Sequence, residues 1–206
     1  MRTPISKGQG RGILARSLSR VVLVTALAGS ATPALAANLI TDGSFEKPVV
    51  RSSQQFNTGD SFLNWTVVGE GYVTIYSNGH LGCGGNGLDA IRGNQLLNLA
   101  NGNYTVAGVQ TSIATTAGST YEIAFFLGRI LGSGGQCARP TTADLYIDGA
   151  FAGSFKIGGI HSGNWKKCST QFTAQNATTT IAFMNGNGSS AVTGLDGISI
   201  RAVKAR

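Results

Sequence analysis

The chain has 206 residues, among them 30 Gly and three Cys, with only 12% charged residues and a formal net charge of +7. Glycine is about twice as common as usual but follows no G-X-Y period, which excludes collagen, and the 42% hydrophobic share excludes a disordered chain. The scarcity of charge argues against a Glu/Lys-rich helical protein, while the positive balance raises nucleic acid or an anionic surface as a partner.

The first 36 residues account for most of that balance. Arg2, Lys7, Arg11, Arg16 and Arg20 occur without a single acid, an apolar run follows at 21–28, and Ala34-Leu35-Ala36 makes a small-x-small cleavage site. The apolar run is about eight residues, far short of the roughly 20 that span a bilayer. Residues 1–36 are therefore predicted to be a cleavable signal peptide on the general secretory route. The mature protein, 37–206, is expected outside the cell, or in the periplasm of a Gram-negative one. The leader takes five of the sixteen Lys and Arg with it and none of the nine acids, so the mature chain carries +2. Its densest basic pair, Lys166-Lys167, would face opposite sides of a strand. Nucleic acid loses its main support as a partner, and no later run is apolar enough to span a membrane.

From residue 38 on, short β-type runs alternate with Gly, Asn, Asp and Ser. The predicted strands are 43–50, 65–68, 72–76, 95–99, 108–113, 120–130, 142–147, 151–156, 165–174, 178–184 and 194–202. Tyr121, Ile123, Phe125 and Leu127 recur at period two, as do Ala143, Leu145 and Ile147. Asp148-Gly149 between 145–147 and Phe151 is a hairpin signal. No dozen-residue window carries a 3.6-residue apolar stripe. About ten strands in a chain of this size predict an all-β, jelly-roll β-sandwich in a single domain.

Export places Cys83, Cys137 and Cys168 where disulfides persist. Cys83 and Cys137 lie in Gly-rich loops that a cross-link would restrain, so they are the favoured pair, although sequence leaves the connectivity open. Cys168 shares strand parity with Phe172 and reads as a buried free thiol. No C-x-x-C or nearby His pair supports zinc. The run 82–87 formally matches G-x-G-x-x-G but lacks the preceding strand and following helix of a dinucleotide site. No nucleophile elbow or singled-out carboxylate pair is present, so no catalytic residue is assigned.

The order of motifs carries a resemblance. Asn38-Leu-Ile-Thr-Asp-Gly-Ser-Phe-Glu46 opens the domain, followed by Asn64-Trp-Thr-Val-Val-Gly-Glu-Gly-Tyr72 and Gly93-Asn-Gln-Leu-Leu-Asn-Leu-Ala100. The long run 108–128, Trp165-Lys-Lys-Cys-Ser-Thr-Gln-Phe172 and Gly194-Leu-Asp-Gly-Ile-Ser-Ile200 complete it. The sequence resembles the galactose-binding-like jelly rolls related to carbohydrate-binding modules, and within them the secreted family called domain of unknown function 642. That resemblance implies a non-catalytic, extracellular β-sandwich associated with polysaccharide of a wall, matrix or cell surface. Related jelly rolls often hold a structural Ca2+ between a Phe-Glu motif on the first strand and an Asp on the last; here the matching residues are Glu46 and Asp196, with loop anchoring as the alternative. Relatives often carry an aromatic after the late Trp and a Cys near the final strand, whereas this chain has Cys168 and Thr170 and no late Cys, so the family's disulfide pattern does not carry over.

Trp65 and Trp165 could stack on sugar rings, but their places in the framework favour a core role. Tyr76, His80, Arg92 and Arg129 lie near the two Gly-rich, Cys-bearing loops and are the candidate ligand residues, with planar Arg donors suited to vicinal hydroxyls or uronate carboxylates. The expected partner is a polysaccharide or glycoconjugate. An adhesive protein binding another protein is the second expectation, and an exported polysaccharide hydrolase the third.

Overall fold

The computed structural model describes residues 37–83, 86–100, 106–130, 140–158, 164–186 and 192–203. Among them are fourteen strands and no helix: β1 (Ser53–Asn57), β2 (Ser61–Phe62), β3 (Trp65–Gly69), β4 (Tyr72–Ser77), β5 (Gly82–Cys83), β6 (Asn86–Gly87), β7 (Gln95–Asn98), β8 (Ala107–Ala114), β9 (Thr120–Gly128), β10 (Thr141–Ile147), β11 (Ala150–Ile157), β12 (Trp165–Thr173), β13 (Thr178–Asn185) and β14 (Gly194–Ala202). They form two six-stranded sheets. The first runs β1-β4-β7-β14-β9-β12 and the second β11-β10-β13-β8-β3-β2, while β5 and β6 make a small separate ribbon. Every pairing is antiparallel. The predicted all-β sandwich is the observed architecture.

Alternation decides which side chains meet between the sheets. In β9, Tyr121, Ile123, Phe125 and Leu127 are buried while Glu122 is exposed. Phe125 sits edge-on to Phe155 and Phe183, with centroids 5.0 and 4.9 Å away, a geometry that sets ring edges against π-faces. At the other end of the core, fully buried Trp65 lies 5.4 Å from Phe45. Its indole N–H donates to the Asp42 carbonyl at 3.2 Å, which satisfies its polar atom. Cys168 is buried and free, and burial raises its thiol pKa. A smaller cluster of Leu81, Leu88, Leu96 and Ile130 packs against Tyr76 and Trp165.

One predicted strand is absent. Residues 43–50 form turns and bends, with Asp42 at φ 53° and Phe45 at φ 56°. Phe45 and Val50 are buried, so the segment has apolar anchors without a ladder. Side chains take its backbone bonds instead: the Asp42 carboxylate accepts from the amides of Glu46 and Lys47, and Gln95 accepts from Val50 N. Strand β1 was not expected, because Phe56 is its one buried residue and its other four are exposed.

Candidate functional site

Strand β14 organises the outer side of the first sheet. Its register against β9 shifts by one residue between Asp196 and Ser199, a β-bulge that keeps Leu195, Ile198 and Ile200 buried. Gly197 sits in the bulge at φ 60°, and a Cβ there would come within 3.0 Å of both the Arg92 stem and the Phe126 ring. Arg92 lies over that ring, with Cζ 5.6 Å from its centroid.

Asp196 is fully buried under this contact. One carboxylate oxygen accepts from Ile91 N and Arg92 N at 2.8 and 2.9 Å, the other from Gly197 N at 2.6 Å. Burial pushes its carboxyl up to about 6, against the pull of those amides and of the Ser44 hydroxyl. Glu46 does similar work on the same loop, accepting from Asn94 N and Gln95 N at 2.9 Å each. Both expected calcium ligands anchor the loop, Asp196 through both carboxylate oxygens and Glu46 through Oε1. Calcium asks for six to eight oxygens, and no group of three or more acidic, His or Cys side chains converges among the described residues. Backbone carbonyls near residues 42–44 would have to complete any calcium shell here. Thermal melts with and without EDTA test for a bound cation: a fall that calcium restores would assign the ion to Glu46 and Asp196.

Around Phe126 the outer face opens into a groove of about 360 Å3, lined by Ser44, Arg92, Phe126, Lys167, Ser199 and Arg201 among others. That volume lies within the range of small-ligand clefts. In register, Lys167 stands beside Phe126 on β12, and Arg201 stands beside Glu122 on β9.

The second sheet presents a face rather than a cleft. Asp148 and Gly149, both at positive φ (49° and 78°), close the β10–β11 hairpin. That turn sets Tyr146 opposite Phe151, with rings T-shaped at 5.6 Å and Phe151 60% exposed. From this pair a cross-strand row continues through Ala182, Gln110 and Thr66 to Ser61. Six strands at ~4.8 Å spacing make the row about 24 Å long. Ala182 leaves a low step between the aromatic pair and the polar end.

The loop-borne candidates are differently placed. Tyr76 is half-buried against the smaller cluster, and burial, with Tyr72 adding to it, raises its phenol pKa. His80 is exposed, its Nδ1 within 3.0 Å of Ser77 Oγ and the Asn78 carbonyl. Arg129 is buried, and among the described residues its Nε has no hydrogen-bond partner. Arg92 belongs instead to the groove over Phe126. The Cys83–Cys137 pairing falls on side chains outside the described residues. Trp65 is core; Trp165 is half-buried and donates its indole N–H to the Asp89 carbonyl at 2.9 Å. Phe126, Lys167, Tyr146 and Phe151 were not singled out from sequence. The Asp148-Gly149 turn already fixes the last two as opposite neighbours on the side away from Leu145 and Ile147.

The chain is structurally similar to TmCBM61 in complex with β-1,4-galactotriose, with TM-score 0.51 and 14% identity over 82% of this chain and 100% of that one. It is also similar to the CBM22-1-CBM22-2 tandem domain of Paenibacillus barcinonensis Xyn10C, with TM-score 0.51 and 15% identity, covering 85% of this chain and 48% of that one. The CBM22-1 xylan-binding domain of the same protein aligns with TM-score 0.49 and 16% identity over 74% of this chain and 95% of its own length. No curated protein sequence matches. The first two likenesses show a shared jelly-roll sandwich fold. With 38–194 matched by the pattern of the family described as protein of unknown function (DUF642), the chain belongs to that family.

Proposed function

We propose that the domain is a secreted, non-catalytic carbohydrate-binding module that holds a glycan chain across the outer face of its second sheet. The observation that carries this is the solvent-facing Tyr146–Phe151 pair at the head of a row of amide and hydroxyl side chains. An aromatic face packs against the C–H face of a pyranose ring, and Gln110, Thr66 and Ser61 can then bond the hydroxyls of further sugar units. The Phe151 ring, 60% exposed beside the partly buried Tyr146, offers apolar area that a sugar ring can cover. The resemblance of the fold to sugar-binding jelly rolls supports the same reading. Asp42, Glu46 and Asp196 are engaged by backbone amides, which suits a structural role for these three acids.

The test is retention of purified 37–206 by neutral xylans, galactans and glucans in affinity gels and by calorimetry. The double variant Tyr146→Ala/Phe151→Ala is expected to bind at least about tenfold more weakly, given the 1–3 kcal/mol scale of ring stacking. Its melting temperature should stay near that of the parent, since both rings are on the surface. Unchanged binding by the double variant, or no retention by any glycan, overturns the proposal.

A further inference from the structure

We infer that the groove over Phe126 is a second, separate site, built for a carboxylate-bearing polysaccharide. This goes beyond the reading above in face, residues and ligand class, so either can fail alone.

The argument rests on charge and shape together. Phe126 forms a half-buried ring at the groove floor with a cation on each side: Arg92 above it from the 91–94 loop, and Lys167 beside it on β12. Among the described residues neither the Arg92 guanidinium nor the Lys167 ammonium has a carboxylate partner. Three acids belong to the surroundings. Asp196 lies beneath the floor with its oxygens held by amides, Glu46 accepts from Asn94 N on the loop that carries Arg92, and Glu122 stands next to Arg201 in register. The two cations without a carboxylate partner among the described residues meet at the ring.

Several features keep the arrangement in place. Asp196 fixes Arg92 N at 2.9 Å, and the missing Cβ at Gly197 leaves room for the Arg92 stem beside the ring. The guanidinium is thus stationed at the ring, and its planar fork of N–H donors suits a carboxylate. Ser199 adds a hydroxyl along the groove wall, and Ser44 lines it with its own hydroxyl donated to Asp196. A ring for the sugar's C–H face, flanked by cations for its carboxylate, describes a uronic-acid unit. A phosphate headgroup or a nucleic-acid backbone would use the cations but leave the hydroxyl-lined wall and the ring without a matching partner.

The test compares four probes on purified 37–206 at low and moderate salt: polygalacturonate, its fully methyl-esterified form, phosphatidylserine/phosphatidylcholine vesicles, and single-stranded DNA. Polygalacturonate is expected to bind, and esterification, which removes the charge from the same backbone, to weaken binding at least about tenfold. Arg92→Gln/Lys167→Gln should lose a similar factor and most of the salt dependence, while Tyr146→Ala/Phe151→Ala keeps polygalacturonate binding at the parent level. Equal binding of the esterified polymer, indifference to the Arg92/Lys167 variant, or preference for vesicles or DNA each overturns the assignment. Loss of polygalacturonate binding in the Tyr146/Phe151 variant alone would move the acidic site to the other face and overturn it too.

Discussion

Trp65→Ala is expected to lower the melting temperature by roughly 10–15 °C. The side chain has no solvent exposure, touches Phe45 at a centroid distance of 5.4 Å and closes one end of the core. Removing a buried Trp costs about 3–5 kcal/mol through lost transfer and the cavity left behind, and one kcal/mol moves the transition of a domain this size by about 2–4 °C. Trp65→Phe separates the two contributions. It keeps most of the ring and loses the bond to the Asp42 carbonyl, so about 1–2 kcal/mol should disappear. Thermal melts by circular dichroism decide the matter. A Trp65→Ala drop less than half the expected one would mean the ring is not the support of the 42–46 turn that its burial makes it.

Asp196→Ala is expected to cost about 2–4 kcal/mol, because the amides of Ile91, Arg92 and Gly197 lose their acceptors and water reaches only some of them. The same residue gives the domain a pH signature. Its folded pKa of about 6 stands above the unfolded 3.8, so the native state binds this proton more tightly. Its proton-linked stability is fully present below 3.8 and is lost as pH rises through about 6. Relative to Asp196→Asn, which cannot titrate, the parent should gain on the order of 2 kcal/mol on going from pH 7.5 to 4.5. Ser44, now a donor to the carboxylate, can turn its hydroxyl to accept from the protonated form. Parallel melts of the two proteins across that range measure the difference. A gap that stays constant with pH, or closes on acidification, would refute the shift.

The strands were legible wherever apolar residues alternate against a buried neighbour, as in β9, β10 and β13. They were not legible where side chains replace the ladder: 43–50 has strand composition, yet Asp42 and Gln95 capture its backbone groups, and no local pattern encodes partners 45 residues away. The candidate site was readable in part. Arg92 was named for its donor chemistry, but its place over Phe126 depends on the Gly197 bulge, and a one-residue slip in register has no signature in a single sequence. Lys167 was correctly placed on the opposite side of β12 from Lys166 and then set aside, since a lone lysine acquires meaning only beside the ring that register brings to it.

The bulge in β14 also bears on the order in which the domain can assemble. It turns the backbone of Ile198 to donate to the Gly43 carbonyl, and two residues later Ile200 bonds both Leu39 N, through its carbonyl, and the Asn38 side chain, through its amide. Residues 38–43 leave the ribosome before the rest of the sandwich, yet the strand that holds them is the last to appear. Contacts spanning some 160 residues must wait for the whole chain, and loop closure makes such contacts slow to form. The sandwich therefore closes only once its last strand is available to hold its first segment.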